Sequence, residues 1–355
     1  MLDAVIVGGG LIGLASALEL ADAGLRACVI DSGAPGQASF AAAGILGPQS
    51  ESAGPGPMLD LCRASFALYP GLAARLGDVG LRNNGTLHLA FSEAEEQDLA
   101  RRRDWQVEAG LRALDPRGVG AGPAQHPGAG ARLAVFFPDE GQVDNRKLLL
   151  LLREACLRAG VELVQGTASA VERDRVLVAG PGGASLALRA GAVVLCAGAW
   201  SQALGPLLVS PVRGQMLALE RTPPACVVFG AGGYLVPRGE RTLVGATMER
   251  AGFAASTTDA GRAHLLSVAA RLQPGLEQAP LADHWSGLRP STPDGLPLLG
   301  ALPSGVLVAA GHHRNGVLLT PISARIVLAL VRGDAPPLDL APFSPARPAP
   351  PAAAL

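Results

Sequence analysis

Residues 5–31 read VIVGGGLIGLASALELADAGLRACVID, and this stretch decides the fold. Val5–Val7 is a short apolar run suited to a buried parallel strand. Gly8, Gly10 and Gly13 spell G-x-G-x-x-G where that strand opens into a helix. The first glycine allows the tight turn, the second lets backbone approach a pyrophosphate, and the third lets helix and strand pack closely. Free N–H groups and the helix dipole at such an N-terminus attract phosphate. Gly24 ends the helix and Leu25–Ile30 forms the next strand. Asp31 stands at that strand's end, in place to accept hydrogen bonds from a ribose hydroxyl pair. With 46 glycines in 355 residues, a lone triplet would carry little weight. Here strand, helix and acid fall in register. The acid disfavours a 2′-phosphate and hence NADP, while NAD and FAD both stay open on this stretch.

The rest of the composition sets bounds. Hydrophobic residues make up 49% of the chain and charged residues 17%, so a large core can be buried across about two domains. No apolar run reaches the roughly 20 residues of a membrane span. The first strand begins where the charged region of a signal peptide would lie, so a cytoplasmic location is expected. The net charge of −1 gives nothing to draw the chain to nucleic acid. Cys28, Cys62, Cys156, Cys196 and Cys226 are widely spaced and form no C-x-x-C. That points to a reducing compartment without a disulfide or metal framework. His312 and His313 are adjacent on a turn, a poor arrangement for holding one ion, and no metal is expected.

Two kinds of sheet are expected to interleave. An α/β, doubly wound Rossmann-type domain would gather residues 1–80, 140–210 and 285–333. An antiparallel-sheet domain would gather 81–139 and 211–284, where strands such as VRGQMLALE and RTLVGATME alternate. Residues 34–57 predict a long loop around a short helix, residues 58–77 one helix, and 114–131 a Pro/Gly-rich connection. Asp144 and Gly160 predict the caps of a helix between them. Val193–Ala197 is a second buried strand, ending in Gly198-Ala199-Trp200-Ser201. Residues 334–355 are a Pro/Ala-rich tail, expected to be extended or disordered. The site is expected between the sheets, at the strand carboxyl ends.

Several later motifs resemble one family. Gly311-His312-His313-Arg314-Asn315-Gly316-Val317-Leu318-Leu319, with Thr320-Pro321 following, resembles the C-terminal flavin-contacting segment of the FAD-dependent D-amino acid oxidase superfamily. Trp285-Ser286-Gly287-Leu288-Arg289-Pro290 resembles its substrate-arginine segment. Tyr234-Leu235-Val236-Pro237-Arg238 and Val244–Met248 resemble its antiparallel strands. Together with Ala41-Ala42-Ala43-Gly44-Ile45-Leu46, the set is most similar to bacterial glycine oxidases, which serve thiamine thiazole synthesis. The resemblance spans about residues 3–332 and is weakest at 95–135. It implies non-covalent FAD, and hydride transfer from a substrate α-carbon to flavin N5. It also implies release of a 2-oxo acid and ammonia, with O2 the electron acceptor and H2O2 the product.

Residue by residue, the resemblance implies cofactor contacts at Gly8, Gly10, Leu11, Ile12, Gly13, Asp31 and Ser32. It adds Ala41–Leu46, Val171, and Ala197, Gly198 and Trp200. Near the C-terminus it adds Arg289, His313, Arg314, Asn315, Gly316, Val317 and Leu318. Tyr234, Arg289 and Arg314 would bind and orient the substrate, and Glu51 would face its amine.

The side chains support that reading on their own terms. Arg289 sits in an apolar stretch where an unpaired charge is costly, and a guanidinium fork suits a carboxylate. Tyr234 is one of only two tyrosines. Arg314 lies on a turn opening a helix, where it would hold the substrate carboxylate or a flavin carbonyl. The N–H groups of Asn315–Leu318 at that helix start suit negative charge. An amino acid bound with a neutral amine needs no enzyme acid or base, so the site's work is orientation. Phe229-Gly230-Ala231-Gly232-Gly233 lacks polar or aromatic side chains before the tyrosine, which implies a wider pocket than a strict glycine site. The alternatives are a D-amino acid dehydrogenase with another electron acceptor, an FAD-dependent tRNA-modification module, and an NAD-dependent dehydrogenase. The sequence leaves homo-oligomerisation open.

Overall fold

A computed structural model describes residues 2–115, 130–180, 185–221 and 223–348. The connection expected at 114–131 falls mostly outside them. Strand Leu2–Val7 is central to an eight-stranded sheet. It pairs in parallel with Ala27–Asp31 on one side and Ser185–Leu195 on the other. Outside these lie Glu162–Gln165 and Leu307–Ala310, both parallel, and Leu298–Ala301 closes one edge antiparallel.

The run of small and branched residues in the first strand is explained by burial on both faces. Ala4 and Ile6 enter one core, with Leu14 and Leu18 of helix Leu11–Asp22, Leu148 and Leu152 of Asn145–Arg158, and Ile322 and Ile326 of Thr320–Arg332. Val5 and Val7 enter a second core with Val176 and Val178 of the antiparallel pair Thr167–Val171 and Arg175–Ala179. Helices thus cover one face and a small meander the other. The caps fall as expected: Asp144 accepts from the N–H groups of Arg146 and Lys147, and Gly160 takes φ +77° just past the helix end.

A seven-stranded sheet runs in the order Leu281–Ser291, Ser210–Leu219, Arg241–Gly245, Gly233–Arg238, Val227–Gly230, Thr86–Ala90, Leu133–Phe137. It is antiparallel except for the parallel pair Val227–Gly230 and Thr86–Ala90. Helix Asp259–Leu272 buries Leu265, Val268 and Leu272 against one face. The opposite face looks toward the glycine turn.

Three expectations need correction. Residues 285–291 were expected with the parallel sheet, yet they belong to strand Leu281–Ser291, which pairs with Ser210–Leu219 across ten register positions. The helix expected over 58–77 is two helices, Pro57–Phe66 and Tyr69–Leu76, because Pro70 has no N–H to continue the first helix and suits the opening turn of the second.

The tail is the third. Residues 334–348 are anchored on the fold by two side chains: Phe343 is 1% exposed in the main core. The Arg347 fork donates to both Asp294 oxygens at 2.7 and 2.8 Å, and to the carbonyls of Leu296 and Pro297. Burial works against the Asp294 carboxylate, but hydrogen bonds from Arg347 and the Leu296 N–H hold its pKa below the ordinary value. Pro/Ala composition concealed a bidentate anchor. Arg347→Ala should cost about 2 kcal/mol of stability, the scale of charge-assisted hydrogen bonds lost from a poorly solvated partner. Denaturant unfolding with protein fluorescence reads this. A change under 0.5 kcal/mol would show the tail to be loosely attached.

Candidate active site

The glycine turn is built by exclusion. A Cβ on Gly8, which has φ +118°, would lie 2.3 Å from the Cys196 carbonyl oxygen. One on Gly13 would lie 1.9 Å from the Gly8 oxygen. The helix that follows has Gly10 as N-cap with no side-chain cap and no acid in its first turn, so its dipole end is open to an anion. The Leu11 N–H donates to Ser39 Oγ at 3.0 Å. Asp31 accepts from the Gly33 N–H at 3.1 Å and lies within 3.5 Å of the Gln37 amide.

From this turn a cavity of about 300 Å³ runs between the sheets. It is lined in order by Gly8–Ile12, Asp31 and Ser32, Gly166–Ala168, Ala197–Trp200, Ala41–Ile45, and His313, Arg314, Gly316 and Val317. A second cavity of about 930 Å³ lies against the antiparallel sheet. Glu51, Tyr234, Arg289 and Arg314 line both cavities and mark where they meet.

The small-residue loop is pinned in place. Trp285 Nε1 donates to the Ala41 carbonyl at 2.9 Å, Arg238 to Ala43 at 2.7 Å, and the Asn145 amide to Ser39 and Phe40. On the far side, the Tyr69 hydroxyl donates to the Val317 carbonyl and Ser65 to Leu318. His313 holds φ +45°, an uncommon conformation for a residue with a side chain. Burial takes its pKa down to about 4, helped by the Arg289 and Arg314 charges, so its ring is neutral.

One row of the antiparallel sheet forms the floor of the junction. Register pairs join His88 to Phe229, Phe229 to Tyr234, Tyr234 to Gly245, Gly245 to Met216 and Met216 to Trp285. The rings of His88 and Phe229 lie 5.6 Å apart, and those of Phe229 and Tyr234 5.5 Å apart, edge to face. The Tyr234 ring occupies the space a Cβ on Gly245 would take, and its hydroxyl lies 3.9 Å from Met216 Sδ.

Arg289 lies across the strand in the same way. A Cβ on Gly214 would be 2.2 Å from Arg289 Nη1, and that nitrogen donates to the Thr247 carbonyl at 3.0 Å. Burial pushes the Tyr234 hydroxyl pKa up, while Arg289 beside it works the other way. Arg314 Nε pairs with Glu51 Oε2 at 3.1 Å.

The structure therefore brings Glu51, Tyr234, Arg289 and Arg314 together. Five residues expected at the cofactor stand outside the cavity wall: Gly13, Leu46, Val171, Asn315 and Leu318. Gly13 packs beneath Gly8. Leu46 and Leu318 are core residues, 0% and 1% exposed. The Asn315 N–H bonds the His312 carbonyl. Val171 packs on the second core, and Gly166–Ala168 take the wall position instead. Gln37, Ser39, Gly214 and Met216 line the cavity without having been expected. Only Gly214 left a signal, a glycine inside a strand, which marks close approach.

The five cysteines are buried and free. Among the described residues no group of His, Cys, Asp or Glu could hold a metal ion, and no helix is long and apolar enough to cross a membrane.

Residues 3–330 match the family described as FAD dependent oxidoreductase, DAO, and the chain belongs to that family. It is 38% identical to the glycine oxidase of Geobacillus kaustophilus, over 96% of each chain. The crystal structure of glycine oxidase from that organism superposes with a TM-score of 0.90 at 36% identity, covering 97% of this chain and 98% of that one. The chain is also 37% identical to the bifunctional protein ThiO/ThiG of Synechocystis sp., over 97% of its own length. It spans about half the length of that relative, 54%.

The residues present fit FAD. The Gly8–Gly10 cradle and the acid-free helix start, with Ser39 Oγ on the Leu11 N–H, suit its pyrophosphate, and Asp31 a ribose. The small-residue walls at Ala41–Gly44 and Ala197–Gly198 suit a flat ring system.

Proposed function

We propose that this chain oxidises glycine and other small amino acids, D-configured or N-methylated. The observation that carries the reading is the junction itself. Arg289, Tyr234 and the Glu51–Arg314 pair converge where the FAD-side cavity opens into the second cavity. FAD held there would accept hydride from the substrate α-carbon and pass the electrons to O2, giving H2O2; hydrolysis of the released imine would give the 2-oxo acid with ammonia, or with methylamine where the substrate is N-methylated.

The protein's part is orientation. Arg289 is held by Thr247 and presents its fork to the substrate carboxylate, with the Tyr234 hydroxyl as a second donor. Glu51 neutralises much of the Arg314 charge, which leaves Arg289 as the principal carboxylate cation and gives the amine an acid to face. Because His88 and His313 are neutral, neither adds a competing cation. The volume of the second cavity supports turnover of substrates larger than glycine. Similarity to proteins named ThiO/ThiG supports a role in supplying the imine for thiamine thiazole synthesis.

The test is anaerobic mixing of the yellow holoenzyme with glycine, sarcosine, D-alanine and D-proline. Loss of the blue absorbance is expected with at least one of them. If none bleaches the flavin, the amino-acid reading is wrong. Peroxide released on readmitting air distinguishes an oxidase from a dehydrogenase with another acceptor.

A further inference from the structure

Behind the Glu51 loop lies a carboxylate that touches neither cavity. Glu140, on the turn between Leu133–Phe137 and Gly141–Gln142, is 0% exposed. Its Oε1 accepts from two consecutive backbone N–H groups, Gln49 at 2.6 Å and Ser50 at 2.7 Å. The next residue is Glu51, whose carboxylate meets Arg314.

The same two residues are held from the other side by helix Glu93–Glu108. Arg102 donates to the Ser50 carbonyl at 2.6 Å. The Gln106 amide, itself 0% exposed, donates to the Gln49 carbonyl and accepts from the Gln49 side chain. An acid buried on neutral donors is costly to keep. What it provides is placement: two short hydrogen bonds, strongest with the carboxylate ionised although burial raises its pKa to about 7, fix the backbone dihedrals immediately before Glu51. A surface loop bonded only to water would not hold that side chain to one position.

We propose that Glu140 is a positioning residue for the Glu51–Arg314 pair, acting on the reaction through the backbone of Gln49 and Ser50. The inference rests on the amino-acid reading above, and its experiment separates the two. Steady-state kinetics are measured on holoenzyme with glycine for the wild type, E140Q, E51Q and E140Q/E51Q, with flavin content as a control. E140Q should lower kcat/KM about tenfold, as a shifted but intact contact does, with full flavin content. E51Q should lower it at least as far.

The double variant should be within twofold of E51Q alone, because two residues acting through one contact are not additive. A product of the two single effects would overturn the inference, as would E140Q within twofold of wild type. Should E140Q fail to accumulate as holoenzyme, R102K loosens the same loop from the opposite side and replaces it in the cycle. Non-additivity with E51Q again supports the inference and additivity overturns it. If the wild-type flavin is reduced by no amino acid, the functional reading falls and this inference with it. If the wild type turns over and the cycle is additive, this inference alone falls.

Discussion

Arg289→Ala should raise KM for glycine by about 100-fold or more and leave flavin content unchanged. The magnitude follows from losing two parallel charge-assisted bonds, each of roughly 1.5–3 kcal/mol, to a carboxylate held away from water. Arg314 is a poor substitute, since its charge is shared with Glu51 at 3.1 Å. Arg289→Lys should recover only part of the loss, because an ammonium is a point charge without the fork. KM and flavin content must be read together. Flavin lost in parallel with activity would make Arg289 a structural residue. An unchanged KM would remove it from the substrate site.

The second large effect is expected from a residue with no side chain. In Gly245→Ala, the new methyl would lie 2.3–2.6 Å from three atoms of Tyr234, including its hydroxyl oxygen. Gly245 ends the strand Arg241–Gly245 without a positive φ, so the backbone accepts alanine and the ring must move instead. A displacement near 1 Å at an orienting group can cost about 100-fold in rate. The decisive comparison is Tyr234→Ala with and without Gly245→Ala. With the ring gone there is nothing to collide with, so the second substitution should change kcat/KM by less than twofold. A further large drop would place the damage elsewhere in the sheet.

The first βαβ unit was legible because its physics is local. Strand, turn, helix and acid lie within 27 residues, and each glycine has a steric reason there. Arg289 and Tyr234 were legible as rare polar groups in apolar surroundings. Their supports were not. Gly214 and Gly245 matter only because strand pairing brings Arg289 and Tyr234 over them. Glu140 sits in the polar stretch Pro138-Asp139-Glu140-Gly141, and only the fold shows that it is covered. The pairing of Glu51 with Arg314 joins a loop near the start to a turn near the end, and neither segment names the other. The tail was misread because composition speaks to the proline-rich average, whereas one arginine decides whether the segment docks.

The row from His88 to Trp285 has a consequence for how the site can change. Its six members come from five different strand pairings at one level of the sheet. Side chains alternate between faces, so slipping any one strand by a single residue would turn its member away from the cofactor and toward helix Asp259–Leu272. New substrate preferences are therefore reached by exchanging side chains along this row, rung by rung. Insertions that would re-register a strand are closed to it.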